Sequence, residues 1–353
     1  MEVDFGGVRE DIVTREEFPL DKAKEVLKDE TIAVIGYGIQ GSAQAQNMRD
    51  TLGDSGARVI ISELRGTQNY EKALKEGWVP GETLFPLEEA VKRGTIVQYL
   101  LPDAGQKKMW PSVRNNLNYD GSALYFSHGF SIVYGDQTGV IPADNLDVIL
   151  VAPKGSGTSV RRNFLSGAGI NSSMAVHQDY TGRAWDRTKA VGIAIGSGYL
   201  FPTTFEKEVF SDLTGERAVL LGGIAGIMEA QYNVLRANGH SPSEAFNETV
   251  EELTESLIAL MSEKGVDFLL ANCSETARRG ALDWKGRFRE ANQSLIEELY
   301  QRVKDGTETR RVLEFSADPN YKGKLQAELD KLKNSEMWRA GAAVRSLRPG
   351  NQK

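Results

Sequence analysis

Residues 31–52 read TIAVIGYGIQGSAQAQNMRDTL, a short β-branched run followed by glycines at 36, 38 and 41 and then a helical pattern. Thr31–Ile35 predicts a strand and Ser42–Arg49 a helix, so the glycines fall in the turn that joins them. A dinucleotide site needs glycine at three such places: one for a tight turn, one for close approach to a pyrophosphate, one for helix–strand packing. The phosphates then meet the helix N-terminus, where unpaired N–H groups and the dipole favour negative charge. Gly36, Gly38 and Gly41 are therefore candidate cofactor residues, with a purely structural turn as the alternative.

The next strand, Arg58–Ser62, ends on Glu63, 22 residues beyond Gly41. An acidic residue there can bond the ribose hydroxyls of NAD and repel a 2′-phosphate. Arg65, Thr67 and Asn69 follow and are able to receive such a phosphate, and a solvent-facing Glu63 is the third option. These residues leave the choice between NAD and NADP open.

Working outward, Ile96–Leu101, Ala123–Phe126, Val148–Val151 and Ala175–His177 are further apolar strand candidates, separated by helical stretches such as Tyr70–Glu76 and Gln106–Asn116. Buried strands alternating with helices predict an α/β domain with a doubly wound parallel sheet of the Rossmann type, over residues 1–201. From 202 to 353 the pattern is all-helical. Ser241-Pro242-Ser243-Glu244 is a helix start with a capping box, followed by an apolar stripe of Phe246, Val250, Leu253 and Leu257. Leu347–Lys353 reads as a frayed tail.

The chain has 353 residues, a net charge of −7, one Cys and three His. It shows no basic footprint for nucleic acid, no disulfide framework and no His- or Cys-rich metal site. Any bound metal is then expected to be a hard cation held by carboxylates. The N-terminal MEVDFGGVREDIVTREEF has no apolar core of a signal peptide, and Ala218–Met228 is too short to span a bilayer, so a cytoplasmic protein with no membrane partner is expected.

Two acid pairs stand out in the helical part, Asp212 with Glu216 and Glu248 with Glu252, each four residues apart. Like charges at that spacing destabilise a helix slightly, and a divalent cation reverses the sign. The pairs read either as solvated faces or as a cation site. His128, in Phe126-Ser-His-Gly-Phe130, and Lys154, in Val151-Ala-Pro-Lys-Gly155, each follow a strand and so occupy ligand-facing or merely backbone-satisfied loop positions. Pro102-Asp103-Ala-Gly-Gln106 follows another strand and opens a helix under the cofactor. His177 and His240 read as structural, and Cys273 as a buried small residue rather than a nucleophile.

These segments, together with Asp147–Gly157, Ser211–Arg217, Gly239–Glu252 and Ala271–Trp284, resemble the ketol-acid reductoisomerase family, also called acetohydroxyacid isomeroreductase. The likeness runs in order from about residue 14 to Pro349, in a short form with one helical domain per chain and a fungal-like helical half. It implies Mg²⁺-dependent alkyl migration in a 2-acetolactate-type substrate, then reduction by NADPH to a 2,3-dihydroxy-3-methyl acid of branched-chain amino acid biosynthesis. It implies a homodimer or higher homo-oligomer with knotted, intertwined helical domains and shared active sites. Asp212 and Glu216, with Glu248 and Glu252 from the partner, are then ligands of two Mg²⁺ ions. The resemblance further implies that Ser274 would contact the substrate carboxylate, that His128 and Lys154 would serve the reacting centre, and that Tyr37, Ile39, Gln40, Asp103, Gln106 and Gly157 would join the dinucleotide contacts.

One departure matters. Gap-free alignment puts Leu64 where the family's Arg faces a 2′-phosphate, with Arg65 one residue late and Glu63 just before. Appreciable NADH use is therefore expected. Two other readings compete: a metal-free 3-hydroxyacid or 6-phosphogluconate-type dehydrogenase, and a non-catalytic dinucleotide sensor or scaffold.

Overall fold

The computed structural model describes residues 1–351. The chain divides into two compact units, Met1–Val209 and Phe210 onward, and each is described by itself.

The first unit opens with an antiparallel hairpin, β1 (Glu2–Asp4) and β2 (Arg9–Asp11). Nine strands then form one sheet: β3 (Val13–Thr14), β4 (Thr31–Ile35), β5 (Arg58–Ser62), β6 (Leu84–Phe85), β7 (Ile96–Tyr99), β8 (Ala123–Phe126), β9 (Asp147–Pro153), β10 (Ile170–Gln178) and β11 (Ser197–Pro202). Their order is β3-β11-β10-β9-β8-β7-β4-β5-β6. The chain runs outward from β4 to β6, then returns to β7 and runs the other way, so the order reverses between β4 and β7. Ligands bind an open α/β sheet at such a switch point, beyond the carboxyl ends of the strands.

The expected parallel sheet holds from β6 to β9, whose central strands are buried on both faces. Beyond β9 it fails, because β10 runs antiparallel to β9 and β3 antiparallel to β11. After the Gly157–Leu165 helix, Gly167 (φ 79°) and Gly169 (φ 74°) turn the chain back alongside β9. Apolar layers cover both faces: Ala45, Met48, Ala190 and Val191 pack on one, Ala90, Trp110 and Val113 on the other.

In the second unit, Ser241 Oγ accepts from Glu244 N at 3.2 Å, as a cap should. The Glu244 carboxylate binds His240 Nδ1 at 3.0 Å. Of the expected stripe, Phe246 and Val250 are buried with Tyr232, Ala245 and Met337, whereas Leu253 and Leu257 are only half-buried. The tail is partly tied down: Arg348 bonds Glu251 at 2.7 and 2.8 Å, and Pro349–Asn351 forms a 3₁₀ turn. The rest of that expectation, residues 352 and 353, lies outside the described residues.

The apolar stretch Ala218–Met228 lies within a longer helical run. The helical run Phe205–Ala237 is long and apolar enough to cross a bilayer by length and composition. Its geometry is not that of one straight rod, because Ala218 (φ −93°, ψ −109°) and Leu221 (φ −137°, ψ −69°) break it.

Candidate active site

The loops after β4, β5, β7, β8 and β9 leave the same edge of the sheet and carry most of the expected site residues. After β4, Gly36 sits at φ 100°, which an L-side chain rarely adopts. A Cβ on Gly41 would lie 1.9 Å from Gly36 O, and one on Gly157 would lie 2.1 Å from Ile39 O. A Cβ on Gly38, by contrast, meets nothing within 4 Å. The loop is closed below and open above. Gly38 is also the N-cap of the Ile39–Leu52 helix and offers no side chain to its first-turn N–H groups, which leaves them for a ligand.

Tyr37 lies in the same loop. Its side chain is fully buried behind the loop, its hydroxyl donates to Glu76 Oε2 at 2.6 Å, and it accepts from Trp78 Nε1 at 2.6 Å. Burial pushes the phenol well above its ordinary range, helped by the Glu76 hydrogen bond. Any dinucleotide contact by Tyr37 therefore comes from main chain. Ile39 stays exposed, and Gln40 Nε2 donates to Gly155 O at 2.9 Å.

Glu63 does not point idly to solvent. One carboxylate oxygen accepts from Tyr37 N at 2.8 Å, and the other from Leu64 N at 2.9 Å and Thr67 Oγ1 at 3.3 Å. Thr67 caps the next helix through Tyr70 N at 3.1 Å. Leu64 and Arg65 are exposed beside it. After β7, Asp103 opens the Asp103–Asn116 helix, and Gln106 Nε2 donates to Tyr99 O and Leu101 O, each at 3.0 Å. Its Oε1 is buried without a hydrogen-bond partner among the described residues.

After β8 and β9, His128 and Lys154 converge on a residue that the sequence pattern does not single out, Glu208. This carboxylate is 2 % exposed and accepts from Gly129 N at 3.1 Å and Lys154 Nζ at 2.9 Å, with His128 Nδ1 at 3.1 Å. Burial opposes its charge, but the hydrogen bond and charge of His128, with those of Lys154, outweigh burial and hold the carboxyl at about 2. At neutral pH Glu208 is thus an ionised acceptor. With an ionised acceptor opposite, His128 Nδ1 is the donor of this pair. The signal for Glu208 was a carboxylate between buried Phe205 and Val209 on a helix whose Glu206 and Lys207 are exposed.

Asp212 follows Glu208 by one turn on the Phe205–Gly215 helix. Glu216 begins a π-helical turn, Glu216–Leu220, and Glu248 lies in another, Asn247–Glu251, with Glu252 opening onto a third, Leu253–Leu257. Such turns are rare and frequent at functional sites. Glu216, Glu248 and Glu252 are exposed and Asp212 half-buried. Ser274 caps the long Glu275–Lys304 helix, accepting from Ala277 N at 3.2 Å, so its own proton can still be donated. Cys273 is half-buried rather than buried, with Sγ 3.2 Å from Leu269 O.

Comparison with known proteins decides the family. Residues 26–199 match the model described as "Acetohydroxy acid isomeroreductase, NADPH-binding domain", and residues 205–350 match "Ketol-acid reductoisomerase, C-terminal domain". The chain belongs to the ketol-acid reductoisomerase family. It is 66% identical to a Desulfosudis oleivorans protein named ketol-acid reductoisomerase (NAD(+)), over 99% of this chain and 98% of that one. The fungal likeness is present but lower, 52% identity to the mitochondrial Neurospora crassa enzyme over 99% of this chain and 86% of the other. The solved structure of an NADH-preferring ketol-acid reductoisomerase from an uncultured archean superposes with TM-score 0.85 at 30% identity, covering 96% of this chain and 99% of that one. The chain is therefore an oxidoreductase that isomerises its acetohydroxy acid substrate and reduces the product with a nicotinamide cofactor, in branched-chain amino acid biosynthesis. This sets aside the dehydrogenase and sensor readings.

Proposed function

We propose that this reductoisomerase takes its hydride from NADH in preference to NADPH, and that it works as a homodimer on two Mg²⁺ ions. The cofactor reading rests on Glu63. Its carboxylate is pinned at the end of β5 by two backbone N–H groups and Thr67, where the adenosine ribose of a dinucleotide lies. A fixed negative charge there attracts ribose hydroxyls and repels a 2′-phosphate, and exposed Leu64 offers that phosphate no hydrogen bond. The Desulfosudis oleivorans relative is named for NAD(+) and the archaeal enzyme is described as NADH-preferring, which points the same way, although the matching N-terminal family is described as NADPH-binding. Steady-state kcat/KM for both cofactors tests it. NADH is expected to be favoured by roughly tenfold or more, as for one charged contact of about 1.4 kcal/mol. Equal use of the two cofactors, or any preference for NADPH, contradicts it.

For the metals, the donor set fits. Asp212 and Glu216, with the partner subunit's Glu248 and Glu252, offer only hard oxygens, which suit Mg²⁺. Among the described residues no ion pair engages the Glu248 or Glu252 side chain. Bound there, Mg²⁺ supplies Lewis acidity that lowers the pKa of the substrate's tertiary hydroxyl and polarises its carbonyl. The protein's own groups do the rest. His128, held by Glu208 at Nδ1, accepts or returns a proton at Nε2. Lys154 supplies a fixed positive charge beside it, and Ser274 donates its hydroxyl proton to the substrate carboxylate.

The dimer reading rests on surface. A cleft of about 660 Å³ in the helical unit is walled by Val219, Ile224, Ile227, Phe288, Leu295 and Leu299. Val219 and Leu295 are 69% and 62% exposed. Contiguous apolar surface of this kind marks an interface, and a second copy of the same unit supplies both the cover and the missing ligands.

A further inference from the structure

Gln44 is a buried amide, 0 % exposed, on the sheet-facing side of the Ile39–Leu52 helix between Ala43 and Ala45. An amide there is costly unless every polar atom is paired, and hydrophobic residues would pack the same space without that demand. Its Oε1 accepts from Tyr125 Oη at 2.9 Å, and its Nε2 donates to Ser127 Oγ at 2.8 Å and, more weakly, to Gln40 Oε1 at 3.4 Å. Gln40 passes the connection on to Gly155 O at 2.9 Å. Tyr125 Oη also lies 2.9 Å from Val151 O and 3.1 Å from Ser127 Oγ. The hydroxyl has one proton to give, so Ser127 returns its own proton to Tyr125 and closes a ring of three side chains.

The two ends of this network are placed for function. Ser127 immediately precedes His128, and Gly155 immediately follows Lys154. Gln40 stands on the first turn of the helix whose N-terminus is the open glycine cradle. One amide therefore ties the dinucleotide loop to residues adjoining both His128 and Lys154. A polar network fully satisfied in this way holds one geometry, whereas apolar packing tolerates slippage.

We propose that Gln44 is a positioning residue for this reaction, locking the register between the dinucleotide loop and the His128 and Lys154 loops through Ser127 and Gln40. The proposal rests on the reading of His128 and Lys154 as groups of the reacting centre. Gln44 touches neither substrate nor cofactor and acts only through its neighbours.

The test is a double-mutant cycle of Gln44→Leu and Ser127→Ala, with His128→Gln measured in parallel. Gln44→Leu is expected to lower kcat roughly 10- to 100-fold, the scale on which small misplacements act, while the dissociation constant of NADH by fluorescence stays within about threefold. The double variant is expected to lose no more than the worse single one, because both break the same link. In the cofactor-free protein the imidazole NMR signal of His128 shifts in both single variants, while those of His177 and His240 do not. Should Gln44→Leu fail to fold, Ser127→Ala alone carries the kcat and NMR readouts. A kcat within twofold of the parent in the folded single variants, or losses that multiply in the double one, overturns the proposal. If His128→Gln is inactive in that case, only the positioning role falls; if His128→Gln is fully active, the reading of the site falls first.

Discussion

The two units of this chain solve the problem of burial differently. In Met1–Val209 every central strand is sheathed on both faces, and even polar residues such as Gln44, Arg187 and Asp147 are sealed in with partners. In the second unit the 30-residue helix Glu275–Lys304 buries only Val303, while Trp284, Phe288 and Leu295 stand more than half exposed. The first unit buries its apolar faces within a single chain, whereas the second leaves much of its apolar surface uncovered. A dinucleotide site can be assembled from strand ends within one sheet. The proposed site of four carboxylates would need surfaces brought together, and an uncovered apolar helix is a feature that could do that.

The largest expected effect tests the uncovered half. Glu252→Gln should remove Mg²⁺-dependent turnover of 2-acetolactate by more than the roughly 10- to 100-fold that outer-shell changes cost, with the fold and NADH binding intact. Full activity would leave the helical unit with no metal role. Next, Leu295→Glu, placed in the exposed cleft, should dissociate the oligomer and abolish activity at low protein concentration, as read by analytical ultracentrifugation. An unchanged sedimentation coefficient would assign that cleft another purpose.

Smaller effects test the covered half. Leu64→Arg is expected to raise the NADPH-to-NADH ratio of kcat/KM by roughly 10- to 100-fold, the worth of a charged hydrogen bond to phosphate. No change would mean that the ribose lies elsewhere. The smallest effect concerns acid stability. The Glu208 carboxyl is held at about 2 against an ordinary 4.5. A depressed folded value contributes stability that is full above the ordinary value and fades as pH falls toward the folded one. Chemical denaturation should therefore show the parent and Glu208→Gln differing most above pH 4.5 and converging toward pH 2. A gap that stays constant across that window would mean that Glu208 is not the titrating group.

Much of the covered half was legible in its residues. Thr31–Ile35, Arg58–Ser62 and Ala123–Phe126 form strands with the expected bounds, because runs this short and this rich in β-branched or aromatic residues favour a buried strand over a helix. The sheet beyond β9 was harder to read. Ser197–Pro202 has a glycine, two aromatics and a terminal proline and is only partly buried, so neither alternation nor a continuous run marks it. Glu208 was hidden by its charged neighbours, and its importance depends on His128 and Lys154 arriving from 80 and 54 residues away. The direction of Tyr37 was beyond local pattern too, since Glu76 and Trp78 decide it. Local chemistry names the loops, and long-range partners orient what they carry.

The central claim is that each active site is built from two chains, with Asp212 and Glu216 on one and Glu248 and Glu252 on the other. Co-expression of two inactive variants under different tags, Asp212→Asn and Glu252→Gln, tests it most directly. A mixed dimer then holds one doubly damaged site and one intact site, so random pairing predicts activity of about a quarter of the parent. All of it should reside in the doubly tagged fraction. If that fraction is as inactive as either variant alone, the four carboxylates do not meet across two subunits, and the account of the metal site is wrong.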